Sequence, residues 1–271
     1  MCRHIAYVGP ETSIGQVLTE PAHSLVRQSW APQRQASGTV NADGFGVGWY
    51  APGDPVPARY RRAGPIWADL SFADLARVVR SGAVLAAVRD ATLAGADAEA
   101  AAAPFVSGRW LFSHNGAVAG WPDSAAPLMS GLPPVELLAL EARTDSAFVW
   151  ALVLHRLRAG DELGTALGET VRQLAEAAPA SRLNLLLTDG ATIAATAWGD
   201  SLWYRTEPGR SAVVASEPYD DDPLWQEVPD RTVLTASRAG VLLASLDDPA
   251  SSPTLDSARP GGPPSSKEPC T

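Results

Sequence analysis

The strongest constraint on the fold is a change of hydrophobic period in the middle of the chain. Apolar residues run from 145 to about 158 behind an Asp145 that reads as a helix N-cap. Segment 161–178 then carries Leu163, Ala166, Leu167, Val171 and Leu174 along one stripe, the spacing of an amphipathic helix. On both sides the chain has strand character. Upstream strands are expected at 3–8, at the end of 39–50, after Pro57, at 83–88 and at 109–113, with helices at 23–30 and 72–80 and a loop at 91–103. Downstream, 182–188 and 192–198 flank Asp189-Gly190, a hairpin signal, and strands follow at 202–205, 211–216, 232–237 and 240–246. Strands, two helices and strands again predict an α+β fold of two antiparallel sheets with helices packed outside them, not an alternating βαβ chain. The glycines at 44, 46 and 48 predict a strand to which another backbone comes close. Residues 2–247 form one expected domain, and the Pro/Ser/Gly-rich stretch 248–271 an expected disordered tail.

Composition excludes several kinds of chemistry. With 21 basic and 30 acidic side chains the net charge is −9, a field that repels a phosphate backbone, so nucleic acid is not an expected partner. Arg59, Arg61 and Arg62 alternate along a predicted strand and read as a solvated face. The longest apolar run, 147–154, is too short to span a bilayer, and no basic-then-apolar leader opens the chain; a cytoplasmic protein is expected. The one lysine, Lys267, lies in the tail, which removes a Schiff-base lysine and a P-loop. Cys2 and Cys270 stand at opposite ends, and His4, His23, His114 and His155 are scattered. Neither a structural disulfide nor a metal site is predicted, and no cofactor motif is present.

Cys2 opens directly into a strand. If Met1 is trimmed, one residue carries both a thiol and a free α-amine, and an amine with a pKa of about 8 can serve the thiol as base near neutral pH. Position alone does not separate this reading from an accident of sequence. Asn115-Gly116 follows an apolar strand, where a side-chain amide and a backbone N–H can form an oxyanion hole. Taken alone, the pair reads as a hairpin turn rather than an oxyanion hole.

Five segments in order carry more information: Cys2, Asn41-Ala42-Asp43-Gly44-Phe45-Gly46, Arg89-Asp90-Ala91-Thr92, Ser113-His114-Asn115-Gly116 and Arg143-Thr144-Asp145-Ser146. In these segments the chain resembles the class II glutamine amidotransferase-type domains of the N-terminal nucleophile hydrolases. The resemblance implies a four-layer αββα sandwich. It implies Cys2 as nucleophile with its α-amine as base, and Asn115 and Gly116 as the oxyanion donors. It also implies that Arg89 receives the α-carboxylate of a γ-glutamyl group, that Asp145 receives its α-ammonium, and that Thr92 supports the same pocket. A guanidinium and a carboxylate suit those two charges; a structural ion pair or helix cap is the other reading of Arg89 and Asp145. Many members carry a histidine after the threonine, where this chain has Leu93.

Residues 2–9, 23–29 and Ala215-Ser216-Glu217-Pro218 are similar to a narrower branch, the amidohydrolases of ergothioneine formation. These remove glutamate from γ-glutamyl-hercynylcysteine sulfoxide. The amidases of glutathione degradation share much of the pattern, and a glutaminase subunit feeding ammonia to a separate synthase is a further alternative. The branch implies a small-molecule γ-glutamyl substrate whose leaving group carries a trimethylammonium, a cation that aromatic faces attract. Trp30, Trp49, Trp67, Trp121 and Trp225 are candidates to line that side, against the plainer reading that they pack cores. Oligomeric state is not legible.

Overall fold

Strand β1 (Arg3–Ser13) serves two cores at once. Ile5 faces outward with Phe45, Val84 and Val213, whereas Ala6 and Val8 face inward with Leu85, Leu111 and Leu186. That alternation is the period-2 geometry of a strand buried on both faces. The computed structural model describes residues 2–35, 38, 40–91, 98–248 and 254–255.

After β1 come α1 (Ile14–Leu18), α2 (Leu25–Gln28), β2 (Phe45–Trp49), β3 (Ala58–Arg62), α3 (Leu70–Val78), β4 (Arg80–Val88), β5 (Phe105–Ser107) and β6 (Trp110–Ala117). The helical middle holds α4 (Ala126–Met129), α5 (Pro134–Leu138), α6 (Asp145–Ala159) and α7 (Leu163–Ala177). The chain then runs through β7 (Arg182–Thr188), β8 (Thr192–Ala197), β9 (Trp203–Glu207), β10 (Ser211–Ala215), β11 (Gln226–Glu227), β12 (Thr232–Ser237), β13 (Gly240–Ser245) and β14 (Thr254–Leu255). All pairings are antiparallel, in two sheets ordered β11-β9-β10-β1-β4-β2-β3 and β14-β13-β12-β8-β7-β6-β5.

Three apolar layers separate four structural ones. The inner core lies between the sheets, α1 to α3 cover the outer face of the first sheet, and α6 and α7 cover the second. This is the expected αββα sandwich. The stripe predicted for α7 is buried at every position, from Leu163 to Leu174, and α6 is buried on most sides because helices and sheet surround it. Helix α6 ends at Gly160, whose φ of 102° is the left-handed stop that glycine adopts without strain.

Several local expectations change. The 23–30 helix is one turn, capped by Ser24, whose hydroxyl accepts the Arg27 N–H. Helices α1, α4 and α5 are too short for their period to stand out in sequence. Thr144, not Asp145, caps α6 and accepts the Ala147 N–H at 3.3 Å. Arg59 and Arg61 do not form a solvated face. Both grip Glu141, at 3.1 and 2.7 Å, and both donate to carbonyls of the 100–104 segment. Thr254 and Leu255, inside the stretch read as tail, add a short strand to the second sheet; 249–253, 256–271, and with them Lys267 and Cys270, lie outside the described residues. No helix among the described residues is long and apolar enough to cross a membrane.

Close approach at Gly46 and Gly48 explains why β2 lacks side chains on its inner face. A Cβ at Gly46 would collide with the Ala103 carbonyl oxygen, and one at Gly48 would lie 2.5 Å from a Leu111 methyl. Leu111 can change rotamer; a backbone carbonyl beside β5 cannot. Gly46→Ala is therefore expected to lower urea stability by about 2–3 kcal/mol, and Gly48→Ala by less. Equal losses at the two sites would contradict this account of the sheet contact.

Candidate active site

The first described residue is held where strand pairing begins. Arg3 lies opposite Val88 and Ile5 opposite Ala215, so β1 has a partner on each side. The His4 N–H donates to the Ser216 hydroxyl at 3.0 Å, and the Ser216 N–H donates back to the His4 carbonyl at 2.9 Å. Cys2 stands just before this clamp, partly buried, with its sulfur accepting the Asp90 backbone N–H. Burial pushes the Cys2 thiol above its usual range. The Asp90 N–H, the chain's terminal ammonium and Arg89 pull the other way, and Asp145 adds to the rise. The sulfur is a thiol at neutral pH and needs a base to become a nucleophile.

Arg89 leaves the end of β4, the strand beside β1. Its N–H donates to the Gly44 carbonyl at 2.8 Å, and its own carbonyl accepts from the Asp43 N–H at 2.9 Å. The Asp43 carboxylate accepts the Ala91 N–H at 2.8 Å. The Arg89 guanidinium donates to the Asp43 carbonyl at 3.2 Å and forms no ion pair among the described residues. An arginine held this way at a site's edge can still offer donors to an anion. Thr92 and Leu93 lie outside the described residues.

Asn115 and Gly116 do not form a turn; they continue β6, opposite Asn184 and Leu183 of β7. On the inner face the His4 ring nitrogen Nδ1 lies 3.2 Å from the Ser113 hydroxyl, tying β1 to β6 across the sandwich. Cys2 and Asn115 are each the next same-face residue beyond that contact, at the end of the sandwich where β1 begins and β6 finishes. Asn115 is fully buried, yet neither its amide nitrogen nor its amide oxygen has a hydrogen-bond partner among the described residues. Leaving such a group unpaired costs about 1–3 kcal/mol. Gly116, at φ 153°, must be glycine, because a Cβ there would collide with the Arg182 carbonyl.

Asp145 opens α6 immediately beyond. One carboxylate oxygen accepts the Val118 N–H at 3.0 Å and the other accepts the Ser146 N–H at 2.7 Å. It is partly exposed at a helix N-terminus and faces the field of Cys2. The structure thus brings Cys2, Arg89, Asn115, Gly116 and Asp145 to one end of the sandwich. An acidic group, a basic group, a thiol and a free amide donor there can bind a zwitterionic head and attack a carbonyl. Among the described residues no three His, Cys, Asp or Glu side chains converge as a metal site requires.

Sequence reasoning missed three buried polar groups beside the site. His4 is buried, and its ring pKa is lowered to about 3 by burial first, then by repulsion from His114 and Arg3. Arg3 is also fully buried. Its Nε donates to Gln35 at 3.1 Å, its two terminal nitrogens have no partner among the described residues, and burial lowers its pKa against the attraction of Glu217. Glu217 in turn accepts the backbone N–H groups of Gln33 and Arg34. The third group is His114. Strand alternation would have placed Arg3 and His4 on opposite faces of β1, but burial of both charges is a tertiary fact.

The tryptophans divide. Trp225 is buried and already faces the Arg205 guanidinium, and Trp121 packs on Phe148. Trp49 packs against the outer core of the first sheet. Trp30 and Trp67 are half-exposed and meet edge to face with centroids 5.6 Å apart.

A family profile described as "Glutamine amidotransferases class-II" matches residues 16–209. The chain is 41% identical, over 91% of its length and all of the relative's, to a protein of Mycolicibacterium smegmatis named gamma-glutamyl-hercynylcysteine sulfoxide hydrolase. A protein of the same name from Mycobacterium tuberculosis is 40% identical over 91% of this chain and 97% of its own. Among solved structures, a glutamine aminotransferase class-II domain protein from Silicibacter pomeroyi superposes with a TM-score of 0.65 at 25% identity, covering 90% of this chain and 99% of that one.

The buried His4 has a consequence for stability. Its unfolded pKa is 6.5 and its folded value about 3, so between these limits the unfolded chain binds the proton and the folded chain does not. Stability therefore falls as pH drops through that window, by about 3 kcal/mol from this one group at about pH 4. Urea titrations of the wild type and His4→Gln should diverge by that amount between about pH 6.5 and 4, the wild type being the more acid-sensitive. Parallel profiles would show that His4 is protonated in the fold.

Proposed function

The chain belongs to the class II glutamine amidotransferases, and from that membership we propose that it hydrolyses the γ-glutamyl amide bond of γ-glutamyl-hercynylcysteine sulfoxide, releasing glutamate. The substrate follows from the two relatives of that name, each matched over nearly its whole length. The excess of acidic charge favours a small molecule over nucleic acid. Residues 2–247 are proposed as the amidase unit.

The observation that carries the mechanism is the unpartnered, fully buried Asn115 amide at the end of the sandwich where Cys2 stands. An N–H donor held in a dry site and not yet used stabilises a charge that forms only in the reaction. In the proposed cycle Arg89 and Asp145, supported by Thr92, hold the glutamyl carboxylate and ammonium. With Met1 removed, the Cys2 α-amine takes the thiol proton as sulfur attacks the γ-carbonyl. The Asn115 amide and the Gly116 backbone N–H receive the oxyanion. The resulting ammonium protonates the leaving amine, the C–N bond breaks, and a γ-glutamyl thioester remains. Water, deprotonated by the same amine, then hydrolyses the thioester and restores the thiol. A thiol is mostly protonated at neutral pH even at its ordinary pKa, and burial strengthens that, so attack requires a base.

Glutamate release from γ-glutamyl-hercynylcysteine sulfoxide, glutathione and glutamine, measured side by side, tests the substrate. Preference for the sulfoxide is expected; preference for either of the others would replace the substrate and leave the fold intact. Cys2→Ala should abolish turnover without loss of folding. Asn115→Ala should lower kcat by about 10²–10³ with a smaller change in KM. An Asn115→Ala enzyme of normal kcat would remove the oxyanion assignment.

A further inference from the structure

His114 takes no part in the cycle above, yet it is buried and makes two hydrogen bonds that join the two halves of the site. It precedes Asn115 on β6, so its ring faces the opposite side of the strand, toward the N-terminus of α6. Nε2 lies 3.1 Å from the Arg182 carbonyl. A carbonyl only accepts, so Nε2 carries the proton. Nδ1 lies 3.0 Å from the Ser146 hydroxyl, which donates to it when the ring is neutral. Ser146 is also the residue whose backbone N–H holds Asp145, at 2.7 Å, and its hydroxyl lies 3.4 Å from the same carboxylate oxygen.

Gly116 completes the arrangement. The volume its missing Cβ leaves is filled by the Arg182 carbonyl, and a Cβ there would also lie 2.8 Å from His114 Nε2. Gly116, next to last in β6, is thus what allows the Arg182 carbonyl to reach the ring. One imidazole spans from the strand carrying Asn115 to the first turn of the helix carrying Asp145.

We propose that His114 is a positioning residue that, through Ser146, aims the Asp145 carboxylate at the α-ammonium of the γ-glutamyl group while the Arg182 contact keeps Asn115 in register. The inference rests on the reading of Asp145 as the ammonium site. Its predicted signature is discrimination between a γ-glutamyl anilide and the glutaryl anilide, which keeps the carboxylate but lacks the ammonium. The side-chain amide of His114→Asn occupies the place of Nδ1 and keeps the Ser146 contact. The longer His114→Gln reaches the Arg182 carbonyl and loses Ser146.

His114→Gln should lower kcat/KM for the glutamyl anilide about tenfold, through KM, and leave the glutaryl value within about threefold. His114→Asn should retain most of the wild-type preference. Ser146→Ala should match His114→Gln, and the double variant should be no worse than either single one, as two residues of one network behave. Equal losses on both anilides, or additive effects of the two substitutions, would reduce His114 to a structural role and overturn the proposal. A wild type that does not prefer the glutamyl anilide would instead overturn the ammonium role of Asp145, and this inference with it.

Discussion

A thiol at the start of a chain can be a fixed nucleophile only if the strand it begins is clamped from its first residue, because free termini fray. Strand β1 is the centre of its seven-stranded sheet, between β10 and β4. Pairing starts at Arg3, and the reciprocal His4–Ser216 hydrogen bonds close it on the β10 side. Small inward side chains at Ala6, Ala83, Ala195 and Ala212 let the two sheets pack closely behind it. Elements far apart in sequence then meet at one end: residues 2–4 before and on β1, 89–91 after β4, 113–118 on and after β6, and 144–146 at the head of α6.

At that end the ordinary rule of buried polarity is relaxed. Most buried polar atoms in a folded protein find partners, yet Asn115, His4 Nε2 and the Arg3 terminal nitrogens have none among the described residues. These groups gather at the end of the sandwich where Cys2 stands. A site that must stabilise charge appearing only in a transition state keeps donors unused in the resting protein, and the surrounding strands supply the stability that such groups cost.

Much of the architecture was legible because it rests on period. The α7 stripe, the Asp189-Gly190 hairpin and the glycines of β2 each have a local physical cause, and each stands where the sequence suggested. What was not legible depended on partners far away. Arg59 and Arg61 alternate like a solvated face until Glu141, some eighty residues later, comes to meet them. Asn115-Gly116 has the local preference of a turn, and β7 overrides it by pairing with both residues. Asp145 was legible as a functional carboxylate only in company with the other segments, because next to a helix a capping aspartate looks the same. His114 and Arg3 gave no sign of their burial: a histidine in a strand signals neither which face it takes nor what waits there.

In the proposed reaction a processed Cys2 forms a γ-glutamyl thioester. Rapid mixing with substrate, acid quenching and peptide mass spectrometry test it directly. The N-terminal peptide should begin at Cys2, gain the mass of one glutamyl residue, and lose that adduct with hydroxylamine at a thioester's rate. A peptide that retains Met1 in fully active enzyme, or an adduct that forms on any other residue, would contradict it.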